Sequence, residues 1–102
     1  MVLILTTLHK KQDAHKIGKG LLKARLIACY NLFPVESGYW WRGKIVSEGE
    51  IVMILKTKEQ NFKKIETYIK KHSSYEVPEV VAIKPYQTSK PYLNWIEKES
   101  RL

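Results

Sequence analysis

Two stretches of this chain, Val2-Leu3-Ile4-Leu5 and Ile51-Val52-Met53-Ile54-Leu55, are apolar at every position. A strand with one wet face alternates apolar and polar residues, so runs without alternation belong to strands buried on both faces. The chain has 102 residues, room for one core and one sheet. A single domain over residues 1–102 is therefore expected, with helices packed on one face of its sheet. The other face needs a cover that the chain does not supply. The economical cover is a second copy of the same chain, since most soluble oligomers are symmetric homo-oligomers.

Around these two runs the remaining elements fall into order. Val2 to Leu8 reads as the first strand. Ile17, Leu21, Leu22 and Leu26 recur at helical spacing after Asp13, a residue suited to capping, and predict a helix to about Arg25. Gly18 and Gly20 each cost roughly 1 kcal/mol in a helix interior, which predicts that another element packs closely against them. Cys29 to Phe33 is extended, with a break or bulge at Pro34 because proline cannot donate to a sheet ladder. Gly38 to Val46 is strand-like, Ser47-Glu48-Gly49-Glu50 has turn composition, and Ile51 to Thr57 completes a long β-hairpin. Asn61 is placed to cap a second helix whose apolar stripe is Phe62, Ile65, Tyr68 and Ile69. Ser73-Ser74 ends it, Glu79 to Ile83 forms the last strand, and Ser89 with Pro91 opens a short C-terminal helix carrying Tyr92, Leu93, Trp95 and Ile96. This order, β-α-β-β-α-β plus a helix, is an α+β ferredoxin-like split βαβ arrangement.

Composition narrows the function. The formal net charge is +8, which makes anionic partners worth testing. The lysines fall mainly where the two long helices turn toward water, and a solvated face is the plainer explanation. No apolar run approaches the roughly 20 residues needed to span a bilayer, so no membrane partner is expected, and a cytoplasmic location follows by default. Cys29 is the only cysteine; it cannot form a disulfide within the chain and is expected to pack as a small hydrophobe. No phosphate-binding glycine loop, zinc-ligand pair or nucleophile motif is present, and the chain is not expected to be an enzyme. Glu76 and Glu79 flank Pro78 as an acid pair, but charges at a strand start usually face solvent. His9 and His15 lack the spacing that sets two ligands on one helical face and are expected at the surface. The ferredoxin-like topology also serves RNA-recognition domains, yet the stacking aromatics those domains place on central strands are absent, so nucleic acid is not the expected partner.

Five ordered blocks carry a resemblance: Ala24-Arg25-Leu26-Ile27-Ala28-Cys29-Tyr30-Asn31-Leu32, Tyr39-Trp40-Trp41-Arg42-Gly43-Lys44-Ile45, Ile54-Leu55-Lys56-Thr57, Tyr75-Glu76-Val77-Pro78-Glu79 and Tyr92-Leu93-Asn94-Trp95-Ile96. Together they resemble the CutA, or divalent-cation tolerance, family. The resemblance implies a homotrimer of ferredoxin-like subunits, PII-like in architecture, whose long hairpins meet across subunit edges. It puts Tyr39, Trp40 and Trp41 at the subunit contact and a ligand in clefts between subunits, near Lys56, Tyr75, Glu79, Tyr92 or Trp95. Copper binding in the family is proposed through a first-strand Cys and a His-His pair. Here those positions are Thr6, His72 and Ser73, with Ser74 in place of the following Pro. His72 alone falls short of the three or four ligands that copper or zinc takes. No cofactor is required on this reading, copper or another divalent cation being the one to test. The resemblance thus implies a non-catalytic trimer that responds to metal ions. The alternative is a basic scaffold or signalling trimer binding an anionic ligand or nucleic acid.

Overall fold

The computed structural model describes residues 1–101. Its elements are β1 (Val2–Leu8), α1 (Lys11–Lys23), β2 (Cys29–Trp41), β3 (Lys44–Thr57), a 3-10 turn (Glu59–Asn61), α2 (Phe62–His72), β4 (Val81–Ile83) and α3 (Lys90–Glu99). The sheet order is β2-β3-β1-β4, with every neighbouring pair antiparallel. That is the ferredoxin-like split βαβ order expected from the sequence.

The hairpin differs from its expected form. Its turn is Arg42-Gly43, both with positive φ (51° and 77°), the backbone of a two-residue turn whose twist matches that of the flanking strands. Ser47-Glu48-Gly49-Glu50 is not a turn but part of β3, paired with Gly38, Ser37, Glu36 and Val35. Pro34 does not interrupt β2. It pairs with Ile51, and because β2 is an edge strand, a position without N–H is tolerated there. The result is two strands of 13 and 14 residues, which stretch the molecule to 44 × 27 × 21 Å.

Three cap assignments also change. α1 starts after Lys10, not at Asp13, which lies in its first turn, where a carboxylate favours the helix dipole. At its other end Arg25 takes the left-handed conformation (φ 61°). Its N–H bonds Leu22 O at 3.0 Å and that of Leu26 bonds Leu21 O at 3.0 Å, closing the helix as a glycine usually does. Asn61 does not cap α2 through its side chain. It is buried, with Nδ2 donating to Leu26 O (3.1 Å) and Thr57 Oγ1 (3.2 Å), while Thr57 Oγ1 donates to Leu26 O at 2.6 Å. A cap residue has thus become the clamp between the ends of α1, β3 and α2. Ser89 precedes α3 without a side-chain cap bond. The last strand begins at Val81 rather than Glu79.

Both long helices cover one face of the sheet. Val2, Ile4 and Leu8 of β1 and Met53 and Leu55 of β3 join Ala14, Ile17 and Leu21 of α1 and Ile65 and Ile69 of α2 in one buried cluster. The two helical glycines set the fit, as expected. A Cβ on Gly18 would lie 2.6 Å from the Tyr30 ring, and one on Gly20 would lie 2.0 Å from the Tyr68 hydroxyl oxygen. The opposite face is built from the alternate residues. Pairing places Asn31, Ile54, Leu5 and Val81 in one row across it, with Leu3 and Ile83 in the row on one side and Phe33 and Val52 in the row on the other. α3 lies over one end only, where Ile96 is buried. Elsewhere this face is open: Phe33, Val81 and Ile83 are 45%, 46% and 45% exposed.

Candidate functional site

The open face carries a polar cluster at each end of β3. Toward the hairpin, Glu48 and Glu50 stand two residues apart on one strand and so point the same way. Glu48 is paired with Ser37, which brings Tyr39 alongside on the diagonal. The Tyr39 hydroxyl donates to Glu48 Oε1 at 2.8 Å. From the loop after α2, the Tyr75 hydroxyl donates to Glu50 Oε2 and lies 3.4 Å from Glu48 Oε1. His9, just past β1, packs its ring 4.0 Å from that of Tyr75 and sets Nδ1 3.6 Å from Glu48 Oε1. Between these groups and the hairpin lies a cleft of about 590 Å³, also walled by Trp40, Trp41, Glu76 and Glu79.

Its protonation states follow from these contacts. Burial pushes the Glu50 carboxyl up, but hydrogen bonds from Ser37, Tyr75 and Thr7 outweigh it and hold the group below its ordinary value. Burial, then the bond to Glu50, drives Tyr75 well above the usual phenol range, and the bond to Glu48 raises Tyr39. An ionised Glu50 carboxylate therefore faces protonated phenols. The cleft can accept positive charge and hydrogen bonds between aromatic walls; its tyrosines act as donors, not bases.

At the other end Lys56 Nζ sits 5.6 Å from the Tyr92 ring centroid, and Tyr92 stacks on Trp95 at 5.8 Å. Cys29 is paired across the strands with Lys56, and its Sγ lies 3.8 Å from the Tyr92 hydroxyl. Contrary to expectation, this thiol is half-exposed. It begins the edge strand and points to the open face rather than into the helix-covered core.

The candidate residues thus fall into two groups: Lys56, Tyr92 and Trp95 at one end, Tyr75 and Glu79 at the other. Glu50 and Lys56 lie six positions apart on β3, about 20 Å of strand, so one chain does not bring the groups together. Trp40 is 71% exposed near the hairpin tip, and Trp41 lies 5.4 Å beneath the Arg42 guanidinium. His72 is exposed at the end of α2, its ring 4.2 Å from Tyr68. Thr6 is buried in the core, its hydroxyl without a hydrogen-bond partner among the described residues. Among the described residues no three His, Cys, Asp or Glu side chains converge to hold a metal ion, so the residues of a single chain do not fit a copper site. Glu48, Glu50 and His9 did not stand out in the sequence. The i, i+2 spacing of the two glutamates signals a shared face only once that segment is read as strand.

Comparison with known proteins bears on the whole chain. Residues 2–99 match the family model for the CutA1 divalent ion tolerance protein. The chain is 38% identical over 98 residues to the divalent-cation tolerance protein CutA of Thermotoga maritima, covering 96% of this chain and 97% of that one. It is 38% identical over 101 residues to the protein of the same name from Pyrococcus horikoshii, covering 99% of each. Among solved structures, CutA1 from Pyrococcus horikoshii superposes with a TM-score of 0.94 at 36% identity over 100% of both chains. The PII-like protein CutA from Nostoc sp. in apo form gives 0.92 at 30% identity, covering 100% of this chain and 99% of that one.

Proposed function

The chain belongs to the CutA1 divalent ion tolerance family, and from that membership we propose that it works as a non-catalytic homotrimer in the response to divalent cations, with its ligand held in clefts between subunits. The observation that carries this reading is the open sheet face. Leu5, Val52, Ile54, Phe33, Val81 and Ile83 form a contiguous apolar surface beside a cleft, a feature that marks an interaction site rather than a solvated surface. The split site supports it further. An acidic half with Tyr75 and Glu79 and a basic half with Lys56, Tyr92 and Trp95 sit too far apart on one chain to share a ligand, whereas neighbouring subunits would supply one half each. Tyr39, Trp40 and Trp41 lie on the projecting hairpin, where a subunit contact would bury their rings.

Copper is not expected to bind tightly. His72 belongs to the helix layer, on the other side of the sheet from the joined face, so trimer assembly through that face leaves the three imidazoles apart. Native mass spectrometry of metal-free protein, followed by a copper titration against a competing chelator, tests both parts. The expected result is a species of three 12.0 kDa chains that loses its copper to the chelator. Stoichiometric copper retained by the trimer would restore a metal site, and a monomer would overturn the assembly.

A further inference from the structure

The positive charge of this chain is not spread evenly. Each of the two helices covering the sheet carries four lysines, all exposed. On α1, Lys16, Lys19 and Lys23 recur at i, i+3 and i+7 and so form one line along the helix, about 10 Å long. On α2, Lys63 and Lys70 pair with Glu66 at 3.4 Å each, while Lys64 and Lys71, two turns apart, have no ion-pair partner among the described residues, nor do the three in line on α1. Asp13 and Glu66 are the only carboxylates on either helix. Glu48, Glu50, Glu76 and Glu79, by contrast, gather around the cleft on the other side of the molecule. A surface that merely keeps a protein soluble intersperses both signs; on these two helices eight lysines meet two carboxylates.

The chemistry of the face selects its partner. No large apolar side chain is exposed on α1 or α2, and a helix layer that seats on a bilayer needs such anchors. No Phe, Tyr or Trp ring stands exposed there to stack on unpaired bases, and the one exposed imidazole, His72, packs 4.2 Å from Tyr68. What remains are unpaired point charges on a rigid two-helix platform, suited to a dense and regular array of negative charge. Lysine contacts of this kind bind phosphates and carry no sequence information. We propose that the α1–α2 face docks on the phosphate backbone of duplex nucleic acid without reading its sequence. It lies on the opposite side of the sheet from the apolar face, so docking and subunit assembly are independent.

The test is fluorescence anisotropy of the full chain with two labelled duplexes of unrelated sequence, titrated across salt. Both duplexes are expected to bind equally. With five lysines in contact, affinity should fall several hundredfold between about 50 and 200 mM salt. Combining Lys16→Gln, Lys19→Gln, Lys23→Gln, Lys64→Gln and Lys71→Gln should weaken binding at the lower salt at least about tenfold and flatten the salt slope. Arginine at the same five positions should retain both. Circular dichroism and sedimentation of the glutamine variant are expected to match the parent, since all five side chains are exposed. Salt-independent or absent duplex binding by the parent would overturn the proposal, as would a glutamine variant that binds equally well. Tighter binding to phosphatidylserine vesicles than to the duplexes would overturn it in favour of a membrane surface.

Discussion

The two faces of the central sheet are made from the same strands and much the same residues, yet only one is finished within the chain. On the helix-covered face Ile4, Met53 and Leu55 are fully buried. On the other, their strand neighbours Leu5, Val52 and Ile54 are half-buried and Phe33 stands exposed. Composition does not separate the two, since both runs are apolar without alternation. Coverage does, and the uncovered face holds the polar clusters as well. A residue on the first face is expected to govern folding, and a residue on the second to govern assembly.

The sharpest way to break that division is to cut into each face in turn. Leu55→Ala opens a cavity in the helix-covered core and is expected to cost about 2 to 5 kcal/mol in urea unfolding. Ile54→Lys, one residue away on the same strand, should leave the far-ultraviolet circular dichroism of a folded chain while abolishing assembly. If Ile54→Lys unfolded the protein instead, the two faces would not be separable. Gly18→Ala forces a methyl into the Tyr30 ring and is expected to destabilise by about 1 to 3 kcal/mol, as overpacking does; an unchanged midpoint would show that Tyr30 can swing away.

Smaller effects sharpen the comparison. Tyr75→Phe removes the donor to Glu50 and should cost roughly 1 kcal/mol. The same bond contributes a pH dependence. Glu50 is held below its ordinary value of 4.5, so its contribution is complete above that pH and is lost as the pH falls through the lowered value. Acid unfolding should accordingly begin at higher pH in Tyr75→Phe, and coincident acid curves would show that the bond adds nothing. Smallest, Thr6→Val removes a buried hydroxyl that has no partner among the described residues and is expected to stabilise the chain by up to about 1 kcal/mol; a loss of stability would mean that the hydroxyl is satisfied.

Much of this architecture is legible in the residue order because burial writes a period into the helices. Ile17 and Leu21 on α1, and Ile65 and Ile69 on α2, announce their faces, and Gly18 and Gly20 announce a close approach. The hairpin tip is harder to read. A positive φ at Arg42 has no compositional signal, whereas Ser47-Glu48-Gly49-Glu50 looks like a turn and is held straight by pairing with β2. That misplacement hid Glu48 and Glu50, which share a face with each other only in a continuous strand, although Tyr75 and Glu79 beside them were legible. The half-exposure of Cys29 was equally out of reach, resting on which side of an edge strand its residue faces.

The open face is expected to be joined to other copies of the chain. Sedimentation equilibrium of the metal-free protein and of Ile54→Lys, over the same range of concentration, tests it directly. A parent that sediments as three 12.0 kDa chains beside a folded, monomeric variant is the predicted result; a parent that is itself monomeric, or a variant that still forms trimers, would contradict it.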